Sequence, residues 1–223
     1  MKYKKYSITA IVAISCIIMG WVDAVIQPGY AIKSAIKAAL FLILPLSYAY
    51  FHRDCDLKSL LIPKKKGIKI ALLAGIFVYV AIVGGYFIFR NIFDFSLITG
   101  KLGEGAGVNK GNFAFVALYI SFANSLLEEF FFRGFSFFSL KKVSSRKFAY
   151  IFSSSAFALY HVAMMIGWFR IELIFLAVVA LAVGGVIFDF FNEKGENIYI
   201  SWLIHMFANF AINTVGLILF GII

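Results

Sequence analysis

Five side chains that can move protons or hold charge lie in stretches that are otherwise apolar: Glu128, Glu129, Arg133, His161 and His205. Asn209 follows His205 by four residues. Carboxylate and imidazole are the commonest general bases, so Glu128 with His161 can hold and deprotonate a water. His205 and Asn209 share one helix face, about 6 Å apart. Both can aim a donor at the oxyanion that forms when water attacks a peptide carbonyl. Those four residues compose a site for hydrolysis. Glu129 and Arg133 are also spaced i,i+4 and can pair, whereas Glu128 is turned about 100° away from Glu129 and is left for another use. A plainer reading competes with this one. The two acids and the arginine could be one buried ionic cluster, and each His or Asn an interhelical polar clamp. A Glu/His/His set is also a legal zinc-ligand set. Against zinc, HExxH spacing is absent and the helical partner of His205 is Asn209, a poor zinc ligand. No Ser or Cys stands in a nucleophile context such as GxSxG.

The elements that carry these residues must cross a membrane. Of 223 residues, 62% are hydrophobic and 14% charged, with mean hydropathy +0.93. Soluble domains lie nearer half apolar and about a quarter charged, and a soluble fold of this size could not hide so much apolar surface. Seven spans can be drawn, at 7–27, 31–51, 68–90, 112–139, 147–168, 171–191 and 198–222. Each is near the ~20 residues that a hydrocarbon core requires. The fold class is therefore all-α: a polytopic transmembrane helical bundle forming a single integral membrane domain over 1–223. An eighth or re-entrant segment near 91–111 is compatible with the sequence. Gly100, Gly103, Gly105, Gly107 and Gly111 read as a flexible loop, because no strand precedes them and no Gly-Lys-Ser/Thr follows.

The net charge of +10 comes from short Lys/Arg runs between apolar stretches. That is the pattern of topology signals, not of a nucleic-acid groove. Cys16 and Cys55 suggest neither a disulfide framework nor zinc. The Lys2-Tyr3-Lys4-Lys5 start leads into an apolar run too long for a signal peptide, so it reads as a retained span. With the N-terminus inside, fourteen Lys/Arg lie on the inner side (residues 2, 4, 5, 53, 58, 64, 65, 66, 69, 141, 142, 146, 147 and 194) and six on the outer side (33, 37, 90, 101, 110 and 170). The expected orientation is N-terminus cytoplasmic and C-terminus outside. Asp23, Lys33, Lys37, Glu172 and Asp189 lie near span ends, where snorkelling or mutual pairing accounts for them. At 1.5 Å per residue, Glu128 is roughly 17 Å, His161 roughly 21 Å and His205 roughly 10 Å from the inner ends of their spans. They can line one cavity between the inner surface and the midplane.

Glu128-Glu129-x-x-x-Arg133, Phe157-x-x-x-His161 and His205-x-x-x-Asn209, one per helix and in this order, resemble the three motifs of the type II CAAX prenyl protease family. This is the CPBP or Abi group of intramembrane glutamate proteases and bacteriocin-processing proteins. The resemblance covers residues 112–213, the motif-bearing protease core. It implies that Glu128 and His161 activate the water, that His205 and Asn209 form the oxyanion site, and that Glu129, Arg133 and Phe157 give structural support. It also implies metal-independent chemistry with no cofactor. One departure is Asn197-Ile198-Tyr199-Ile200-Ser201, which replaces a Ser-Leu-aliphatic-Pro stretch and bears on the cavity rim and substrate choice.

The sequence thus leads to an intramembrane endopeptidase acting on a membrane-associated peptide or protein that reaches the site from the cytoplasmic side. The alternative is a non-catalytic scaffold or bacteriocin-immunity protein of the same fold. The partners expected are that substrate and the lipid bilayer, with no nucleic acid. The Phe/Ile/Lys-rich composition points to an AT-rich bacterial genome, and so to a bacterial plasma membrane.

Overall fold

A computed structural model describes residues 2–52, 57–92, 107–166 and 170–223. Among them every regular element is a helix. Seven helices among the described residues are long and apolar enough to cross a membrane: α1 Tyr3–Ile26, α2 Tyr30–Phe51, α3 Ile68–Phe89, α4 Phe113–Val143, α5 Arg146–Met165, α6 Ile171–Gly195 and α7 Tyr199–Leu219. The protein is an integral membrane protein. Cys55, Gly100, Gly103, Gly105 and most of the 91–111 re-entrant segment lie outside the described residues. Cys16 is a free thiol.

Local chemistry explains where the helices turn. Ser145 caps α5, its hydroxyl accepting from Phe148 N at 3.1 Å. Gly67 precedes α3 at φ +90°, a left-handed conformation that suits glycine. Between α6 and α7, Asn197 Nδ2 donates to Gly195 O at 2.8 Å. Its Oδ1 accepts from Tyr199 N at 2.9 Å, so one amide closes the turn and opens the next helix. Helix α3 lies against α7 closely enough that a Cβ on Gly75 would sit 2.5 Å from the Phe207 ring.

Helix α4 is the spine of the fold, and it is not uniformly α-helical. Two π-helical stretches, Ile120–Asn124 and Phe130–Phe138, flank the short α-helical piece Ser125–Glu129 that bears both acids. Wide i→i+5 turns of this kind gather at functional sites. The second π stretch is buried almost throughout. Phe131, Phe132, Phe135 and Phe137 have no exposure, and Phe131 stacks on Phe41 of α2 with ring centroids 4.0 Å apart.

Ion pairs tie together the loops at one end of the bundle. Arg146 bonds Glu193 at 2.6 Å, Lys141 reaches the same carboxylate at 2.8 Å, and Lys64 bonds Glu196 at 2.9 Å. That last bond holds the exposed Glu196 carboxyl below its ordinary range. Lys5 stacks over the Phe148 ring at 3.8 Å, so the N-terminal segment belongs to this same, strongly basic end. At the other end Lys110 Nζ donates to Gly221 O at 2.7 Å, and Lys33 pairs with Asp23.

Candidate active site

Glu128 projects from the α-helical piece of α4 into the bundle and is 2% exposed. Its two oxygens have different surroundings. Oε1 pairs with the Lys37 ammonium of α2 and accepts from Asn124 Nδ2 at 3.0 Å; Lys37 Nζ also bonds Asn124 Oδ1 at 2.6 Å. Oε2 accepts no hydrogen bond from the described residues. It faces two imidazoles, His161 Nε2 at 3.8 Å and His205 Nε2 at 3.7 Å. Those separations exceed a direct hydrogen bond and suit one intervening oxygen.

Each imidazole is oriented from behind. His161 Nδ1 donates to Phe157 O at 2.7 Å, leaving Nε2 free to accept. The ring lies where α5 breaks, between Arg146–Tyr160 and Val162–Met165, so its direction is set by the end of a helix rather than its middle. His205 Nδ1 donates to Glu129 Oε1 at 2.8 Å. Glu129 is also 3.3 Å from Arg133 Nη1 and accepts from Ser201 Oγ at 2.5 Å. Ser201 is itself held by Asn192 Nδ2 at 2.6 Å. Arg133 stacks over Phe157, 4.0 Å from the ring centroid, and lies 3.7 Å from Asp189, which accepts from Ser153 and Ser154 at 3.3 and 3.2 Å. Asn209 lines the same cavity, its Nδ2 donating to Ile120 O at 3.2 Å.

The structure brings Glu128, His161, His205 and Asn209 around one cavity of about 480 Å³. Glu129, Arg133 and Phe157 lie behind them. Three sequence expectations change. Lys37 and Asp189, taken as span-end charges, are 4% and 0% exposed and belong to the site's ionic network. Lys37 looks peripheral only by its place in the span; the fold turns it inward onto Glu128, which is therefore not the unpaired acid that helix geometry alone suggests. Residues 197–201 are not on the cavity rim. They lie beneath the site, where Ser201 braces Glu129. Finally, the cavity does not reach toward the basic end, as depth counting from that end implies. Its outer lining is Asp23, Gln27, Pro28 and Tyr30, at the α1–α2 turn.

Some supporting residues had a signal in the sequence. Asn124 and Ser201 stand at i,i+4 to Glu128 and His205. Lys37 and Asp189 come from other helices, so no local spacing joins them to the motifs.

Residues 110–211 match the family described as type II CAAX prenyl endopeptidase Rce1-like. The match spans the helices that carry the three motifs, and the resemblance read from those motifs holds over this region. It supports an enzyme of the CAAX protease type, a membrane-embedded hydrolase. No curated protein and no solved structure matches the chain.

Proposed function

We propose that the protein hydrolyses peptide bonds within the membrane, with a water held between Glu128 Oε2 and His161 Nε2. The observation that carries this reading is the split environment of Glu128. Lys37 and Asn124 fix one oxygen, and the other is presented to two imidazoles inside a cavity. The water donates one proton toward Oε2 and the other toward His161 Nε2. As its oxygen attacks the substrate carbonyl, one of these groups takes the proton and later passes it to the leaving amine.

His205 and Asn209 serve the oxyanion. With Nδ1 donating to Glu129, His205 can offer a second donor at Nε2 only as the imidazolium. Asn209 Nδ2 has a second hydrogen beyond the one given to Ile120 O. Such donors, pre-aimed in a site of low dielectric, are usually the largest single contribution to acyl-transfer catalysis.

A zinc hydrolase gains little support from this arrangement. The carboxylate that would bind the ion is already paired with an ammonium, and no group of three or more His, Cys, Asp or Glu among the described residues has metal-site geometry. A scaffold role leaves the cavity and its two aimed imidazoles without a purpose.

The test uses purified protein in lipid nanodiscs with a mixed peptide library read by mass spectrometry. The native protein is expected to cleave and Glu128→Gln to lose at least about 100-fold, the scale of general-base catalysis. Chelator is expected to have no effect, and metal analysis to find no stoichiometric zinc. Equal cleavage by Glu128→Gln overturns the proposal.

A further inference from the structure

Resting on the hydrolase reading, we infer that the cavity is served from the extracytoplasmic face, so that its substrate is an unfolded segment of an exported or membrane-anchored protein exposed on that side. Two independent features meet here. The first is charge. Ion pairs and contacts group the N-terminal segment with the loops before α3, α5 and α7 at one end, and among the described residues that end carries thirteen Lys and Arg. The opposite end has five among the described residues, and Lys37 is consumed inside the site, leaving four. Lys and Arg are retained on the cytoplasmic side, so the basic end is cytoplasmic.

The second feature is where the cavity opens. Gln27 and Ala24 of its lining are exposed and stand at the α1–α2 turn, on the opposite end from the basic loops. Toward the basic end the site is closed by packed groups. Behind Glu128 and His205 lie Glu129, Arg133 and Asp189, all without exposure, and beyond them the fully buried rings of Phe131, Phe132, Phe135 and Phe137. A peptide approaching from the cytoplasm would have to displace this ionic layer and its aromatic floor. A peptide approaching from the α1–α2 side meets a rim of Gln27, Tyr30 and Ser34 beside Val108 and Ile166, a mixed polar and apolar lining suited to a backbone with side chains of either kind. The cavity volume of about 480 Å³ falls in the usual range for ligand sites, roughly 300–1,000 Å³. It accommodates a short unfolded segment, whose carbonyls are free of internal hydrogen bonds.

Cysteine labelling reads the side of access without needing turnover. In a Cys16→Ser/Cys55→Ser background, Gln27→Cys, Ser34→Cys and Lys65→Cys are each treated in intact cells with a membrane-impermeant maleimide. Gln27→Cys and Ser34→Cys are expected to label severalfold more strongly than Lys65→Cys. Lysis is expected to raise Lys65→Cys to the same level. The same pattern should appear when Glu128→Gln is added, which separates this inference from the catalytic one. Lys65→Cys labelling in intact cells, with Gln27→Cys labelled only after lysis, overturns it.

Discussion

Glu128 has neighbours that differ from one oxygen to the other. Burying a carboxylate in a membrane bundle is costly unless it is paired and hydrogen-bonded, and Lys37 with Asn124 does both at Oε1. The same contacts hold Oε2 toward the imidazoles. This makes a stability prediction that catalysis does not enter. Lys37→Met leaves a buried charge alone and is expected to destabilise by about 3–5 kcal/mol. Adding Glu128→Gln to Lys37→Met removes that charge and should recover much of the loss, as thermal unfolding in detergent would record. If the double variant is no more stable than Lys37→Met, the pair is not what Lys37 is for. The polar motif residues were legible in the sequence because each is a polar group on an apolar helix, with Glu129 and Arg133, and His205 and Asn209, also spaced i,i+4. Lys37 was not. It stands 91 positions from Glu128, and only the packing of α2 against α4 joins them.

Helix identity and number follow from hydropathy, since only continuous hydrogen-bonded backbone survives in lipid. The interruptions inside α4 do not follow from it. Apolar residues allow α and π turns alike, and what selects the π stretch Ile120–Asn124 is a set of partners on α7. Asn213 donates to Ala117 O at 3.1 Å, Asn209 to Ile120 O at 3.2 Å, and Trp202 to Phe122 O at 3.1 Å. Deleting Ala123 removes the extra residue and turns everything before it by about 100° relative to Glu128. The carbonyls of Ala117 and Ile120 then leave Asn213 and Asn209. Loss of cleavage and a lower Tm are expected, with membrane insertion retained. Full activity in that variant would mean the wide turn positions nothing. The sequence segment 197–201 teaches a related lesson. Its departure from relatives looks like a matter of the rim, yet Ser201 and Asn192 make it part of the brace behind His205.

Across the whole molecule, the two ends are unequal: one basic and closed, the other less basic and open onto the cavity. Counting charges gives an expected orientation from sequence, but not which end the site faces. Depth along each helix locates a residue without saying which way the space beside it opens. A reporter fused after Ile223 checks the orientation. Alkaline phosphatase should be active there and green fluorescent protein dark, because the C-terminus lies at the end opposite the basic loops. The reverse result would place the N-terminus outside and turn the cavity toward the cytoplasm.

The most direct test of the hydrolytic claim is comparative peptidomics of cells that express the native protein or Glu128→Gln at equal levels. Peptide termini that depend on the native protein should vanish with Glu128→Gln. The same termini at undiminished abundance would contradict a water activated at Glu128.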